Sequence, residues 1–126
     1  MGKRSRDKGA AGERELIRLL HEHLGDIVQP SRNLNQCRDG GVTGDVAGIP
    51  GWAVECKRGA RYLSSWWQQA VEQAGDDLPA LAYRLDRRQW IIEVRAGDVI
   101  PALTAEQHTV SMALPCWCAI VRELLN

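Results

Sequence analysis

Apolar residues recur early in the chain at 16, 17, 20 and 24, the spacing of one helix face, so a helix is predicted over 10–24 with Gly25 as its C-terminal cap. Residues 26–29 read as a short edge strand. The polar segment 29–44 has no helical or strand period. It is long for an idle connection in a small domain and carries Ser31, Arg32, Asn33, Gln36, Arg38 and the pair Gly40-Gly41. Beyond it, 44–48 and 52–57 read as two strands joined by Ile49-Pro50-Gly51, a turn suited to a tight hairpin. A second helix is predicted over 63–77, with Trp67, Ala70, Val71 and Ala74 on its apolar face and Ser64 or Ser65 as N-cap. Strands follow at 79–85 and 90–95. The last element is a helix with Pro115 in its first turn and a face of Trp117, Ile120, Val121, Leu124 and Leu125.

The 126 residues suit one compact domain, and an apolar content of 44% with five Trp fills its core without disulfides. Cys37, Cys56, Cys116 and Cys118 lack zinc-ligand spacing and are expected as reduced thiols. No run is long and apolar enough to span a membrane. The charged opening lacks the apolar stretch of a signal peptide, so a cytoplasmic location is expected. Sixteen basic and sixteen acidic residues cancel. Their distribution does not: residues 1–61 hold eleven basic and eight acidic side chains, residues 62–126 five and eight. The N-terminal half is therefore suited to a polyanion.

Several acids fall where apolar residues belong. Strand parity places Glu55 and Lys57 on one face with Ala53, while Trp52, Val54 and Cys56 take the other. A hairpin turning about Pro50 sets Val46 opposite Val54 and Asp45 opposite Glu55, which is unfavourable for like charges. Glu13 lies on the helix stripe with Leu16, Ile17, Leu20 and Leu24, whereas Glu15 points away. Two unit charges 4 Å apart interact by about 4 kcal/mol at an effective dielectric of 20, and one Lys cannot neutralise three acids. A hard divalent cation can, since it takes carboxylate oxygens and leaves positions open for a phosphate. Glu13, Asp45 and Glu55 are thus candidate metal ligands. Lys57 is the candidate for stabilising charge in phosphodiester hydrolysis.

These residues resemble the PD-(D/E)XK nuclease superfamily, and within it the archaeal-type Holliday-junction resolvases and their small phage relatives. The likeness runs through residues 5–9 and Glu13-Arg14-Glu15, the loop around Arg32-Asn33 and Arg38-Asp39-Gly40-Gly41, and the core from Asp45 to Glu55-Cys56-Lys57-Arg58. It continues at Trp67-Gln68-Gln69-Ala70 and in the strand 80–85. The resemblance implies an α/β fold: a restriction-endonuclease-like core in a single domain over 1–126, its mixed central sheet flanked by helices; the charged residues 1–8 are expected to form a flexible basic arm. It implies a site of Glu13, Asp45, Glu55 and Lys57, with the Cys56 carbonyl as a further ligand. The implied cofactor is Mg²⁺, for which Mn²⁺ substitutes, and no organic cofactor or membrane is involved. Gly44 stands where the family usually carries Pro before the Asp.

Lys8, Arg14, Arg32, Arg38, Arg58 and Arg61 flank the candidate site as phosphate contacts, and the resemblance adds Ser31 and Gln69. No base-reading module is evident, which favours recognition of branched DNA by shape over reading of sequence. A homodimer would offer two equivalent sites to the two strands of a four-way junction, with Trp66 or the C-terminal helix as its interface. The function expected is that of a Mg²⁺-dependent junction resolvase, from a phage or prophage in a bacterial host. The alternatives are a nickase, flap or mismatch nuclease of the same superfamily and a catalytically silent DNA-binding module.

Overall fold

The early stripe folds as α1 (Lys3–Leu24), whose Leu16, Leu20 and Leu24 are fully buried, each contributing roughly 1.5–3 kcal/mol. The computed structural model describes residues 3–33, 44–103 and 108–126, with side chains from Lys8 onward. The helix begins before residue 10 and takes in most of the stretch expected as a basic arm. The edge strand expected at 26–29 does not form. Instead Ile27 and Val28 both donate backbone N–H groups to the Leu24 carbonyl, winding the chain into a turn that cannot pair with a strand. The edge strand is β1 (Ser31–Arg32).

Five more strands follow: β2 (Val46–Ala47), β3 (Trp52–Gly59), β4 (Leu78–Leu85), β5 (Ile91–Arg95) and β6 (Thr109–Ala113). They lie side by side in chain order in one sheet. β3 and β4 run parallel, joined by the crossover helix α2 (Ser64–Ala74), and the other neighbours are antiparallel. The sheet is therefore mixed. A single turn, α3 (Ala96–Val99), follows β5, and α4 (Leu114–Leu125) closes the chain with Pro in its first turn. Among the described residues no helix is long and apolar enough to cross a membrane.

Helices cover both faces. Even-numbered Trp52, Val54 and Cys56 of β3 and Ala80 and Ala82 of β4 join the larger core with α1 and α4, where Trp52 meets Trp117 edge-on at 5.3 Å. On the opposite face Leu81 packs under Trp66 and Ala70 of α2, with Tyr83 and Leu85 beside them. Trp66 is thus buried and Trp67 only half-buried, the reverse of the expected face, and Trp66 cannot serve as a free dimer surface. Neither Ser64 nor Ser65 caps α2. Leu63 holds the N-cap position without a side-chain bond, and the helix stops at Ala74 because Gly75 turns left-handed at φ 57°. Cys56 and Cys118 are buried free thiols and Cys116 is an exposed one, while Cys37 lies outside the described residues.

Candidate active site

The β2–β3 hairpin adopts the register its turn dictates, with Val46 opposite Val54. One residue outward, the Asp45 N–H donates to the Val54 carbonyl at 2.8 Å, and the Cys56 N–H donates to Asp45 Oδ2 at 2.9 Å. Those bonds carry the Asp45 carboxyl to Glu55, with which it is hydrogen-bonded. Glu55 is 6% exposed. Its carboxyl is pushed up to about 8, chiefly by burial and then by the Asp45 charge; Lys57 pulls the other way, and Glu13 adds a smaller push. The thiol of Cys56, turned into the core, is pushed upward by its burial before any charge acts on it.

Two further features fix Asp45. Asn33, just after β1, donates its N–H to the Asp45 carbonyl at 3.0 Å and its Nδ2 to the Gly44 carbonyl at 2.8 Å. Gly44 sits at φ 84°, and a Cβ there would lie 2.8 Å from the Val54 carbonyl oxygen. Pro, held near φ −65°, cannot adopt that backbone, so the departure from the family's usual residue has a geometric cause.

Glu13, Asp45, Glu55 and Lys57 line one cleft of about 1010 Å³ between α1, β3 and α2. Cys56, Lys8, Arg58, Arg61 and Gln69 also line it, so four of the expected phosphate contacts stand beside the acids. Lys8 is paired with Asp86 at 2.7 Å, and Arg58 reaches the same carboxylate oxygen at 3.7 Å. The Arg58 stem passes so close to α1 that a Cβ on Gly12 would lie 2.5 Å from its Cγ. Its Nε is buried and has no partner among the described residues. Arg14 and Ser31 are exposed and outside the cleft lining. Arg32 instead donates Nε to Glu13 Oε1 at 2.8 Å. Arg38, with Gln36 and the Gly40-Gly41 pair, lies outside the described residues.

Among the described residues, no three His, Cys, Asp or Glu side chains close on one point. Two acids meet, and the third, Glu13, is bound to a guanidinium at the cleft's edge. The donor set still fits a hard divalent cation. A buried carboxyl, Glu55, set against the half-buried carboxyl of Asp45 is what such an ion stabilises, and all the donors are oxygen. Sequence reasoning missed Gly12 and Asp86, and named Asn33 as part of the polar loop without a role at Asp45. A glycine inside an amphipathic helix was a legible signal for Gly12; nothing in the spacing pointed to Asp86.

A mixed sheet with helices on both faces, and a cleft where an Asp from one strand meets a Glu-x-Lys of the next, defines the PD-(D/E)XK class of nucleases. The chain belongs to the phage PDDEXK endonuclease family, whose model matches residues 4–114. No curated protein matches it by sequence. Among solved structures it is similar to Hjc of Archaeoglobus fulgidus, a Holliday junction resolvase from an archaeal hyperthermophile. The two share 15% identity over 91% of this chain and 93% of that one, with a TM-score of 0.49.

Proposed function

We propose that this nuclease is a divalent-cation-dependent endonuclease that resolves four-way DNA junctions. The observation that carries the reading is the hydrogen-bonded Asp45–Glu55 pair with Lys57 on the same strand face, all in a cleft lined by Lys8, Arg58 and Arg61. Asp45 and Glu55 would hold Mg²⁺ or Mn²⁺, with Glu13 and the Cys56 carbonyl as further ligands. Such an ion polarises the scissile phosphate and acidifies water. The Lys57 ammonium, two residues along from Glu55, stabilises the negative charge that builds on the phosphoryl oxygens as the P–O bond breaks.

Lys8, Arg58 and Arg61 track the backbone on either side of the scissile phosphate, and Gln69 reaches it from α2. Arg14, Ser31 and Arg38 extend the contact outside the cleft. Side chains of this kind hold phosphates without reading bases, which suits recognition of a branch by shape. A homodimer places two such clefts on the two strands of a junction.

The test is cleavage of a four-way junction, a flap, a mismatch and a linear duplex in Mg²⁺, Mn²⁺ and EDTA. Preference for the junction, loss in EDTA and a dimer by light scattering are expected. Equal cutting of the linear duplex sinks the resolvase reading, preference for the flap or mismatch moves the substrate within the family, and cleavage in EDTA rejects the cation.

A further inference from the structure

Arg32 and Glu13 come from elements that packing alone need not connect: an edge strand of two residues and the first helix, 19 positions apart in the chain. The guanidinium Nε donates to Glu13 Oε1 at 2.8 Å, with the two side chains 44% and 21% exposed. The bond falls on the one acid of the expected three that does not join the Asp45–Glu55 pair. Arg32 is also tied to that pair through the backbone. It is opposite Val46 in the sheet, next in sequence to Asp45, and its neighbour Asn33 bonds to the Gly44 and Asp45 carbonyls.

A cation and a guanidinium compete for the same carboxylate oxygens. An exposed ion pair contributes little, so a divalent ion seated at the Asp45–Glu55 pair of the same cleft outcompetes it for Glu13. The displaced guanidinium stays at the rim of the cleft, where its planar donors match a phosphate. DNA acts on the same pair from the other side, because a phosphate that takes Arg32 leaves Glu13 unneutralised and ready for the ion.

We propose that Arg32 is the exchangeable counter-ion of Glu13, held by that carboxylate until a divalent cation claims it and then given to a DNA phosphate, so that cation and DNA tighten each other's binding. The proposal rests on the cation-site reading above. It assigns Arg32 a positioning role toward Glu13 in addition to a phosphate contact. Reciprocity follows from linkage: whatever factor DNA adds to cation affinity, the cation adds to DNA affinity.

The experiment is titration of the full chain with Mn²⁺ by calorimetry, alone and with a short DNA duplex, in a Lys57→Ala background that blocks cleavage. Arg32→Gln, Glu13→Gln and the double variant complete a cycle. Arg32 is nearly half exposed, so Gln in its place leaves the packing intact. Without DNA, Arg32→Gln is expected to tighten Mn²⁺ binding roughly fivefold, and less than about twofold when Glu13 is already Gln. The duplex is expected to tighten Mn²⁺ binding, and Arg32→Gln to remove most of that gain. Unchanged or weaker Mn²⁺ binding in Arg32→Gln overturns the proposal alone, as does an equal effect in both Glu13 backgrounds, which would mean simple charge repulsion. A chain that takes up no Mn²⁺ overturns the cation site and the proposal together.

Discussion

Asp45 and Glu55 meet across the β2–β3 hairpin as hydrogen-bonded partners, acid against acid, with one of them almost wholly withdrawn from solvent. Unfolded, the Glu55 carboxyl releases its proton near its ordinary value of 4.5; folded, it keeps it until about 8. In that window the folded chain binds more protons than the unfolded one, so stability falls as pH rises. In EDTA the Tm is expected to drop by several degrees between pH 5 and pH 9, and Glu55→Gln to flatten the drop. A wild-type Tm that rises over this range, with no change on substitution, would contradict the assignment.

On the proposed roles, Lys57→Ala removes a charge that acts on the transition state and leaves the phosphate contacts of Arg58 and Arg61 in place. Single-turnover cleavage is expected to fall by about 10²-fold or more, with DNA affinity by fluorescence anisotropy within about threefold of wild type. An equal loss in both would make Lys57 a binding residue.

Gly44→Pro restores the residue the family usually carries before its Asp, yet here it demands a backbone that φ 84° forbids. The substitution is expected to cost about 2–3 kcal/mol in denaturant unfolding and to abolish cleavage by shifting Asp45 off Glu55. Gly44→Ala is expected to be milder but still damaging, since its Cβ meets the β3 backbone. If Gly44→Pro cuts as well as wild type, the geometry assigned to Asp45 is wrong.

Asp86, just past β4, holds Lys8 and Arg58 of the cleft lining. Asp86→Asn frees both cations for the backbone, so DNA binding is expected to tighten and its salt dependence to steepen. Arg58→Ala and Arg61→Ala are each expected to lower the slope of log K against log salt by about 1. An unaltered slope in either case places that side chain away from phosphate.

Much of this site was legible in the sequence because its determinants are local. The Pro50 turn fixes the pairing of Val46 with Val54, and strand parity then puts Glu55 and Lys57 on one face without any knowledge of the rest of the fold. What escaped depended on distance. Trp66 and Trp67 are adjacent on a helix that lies over a sheet, and packing against Leu81 and Tyr83 decides which one is buried. β6 alternates Val110 and Met112 with exposed Thr109, Ser111 and Ala113, a pattern too weakly apolar to stand out before β5 is there to pair with it. Arg32 reads as a phosphate contact until the fold brings Glu13 to it, and the tie of Asp86 to Lys8 needs the end of β4 to meet α1.

The parallel pairing of β3 with β4 also sets an order of assembly. An antiparallel hairpin can zip up from its own turn, but these two strands align only after α2 has crossed and docked between them. Until then Glu55 and Lys57 lie on an open strand with water on the face that α2 will cover. The cleft around these acids is therefore complete only once the chain from Leu78 has paired with β3 and α2 has docked over the sheet.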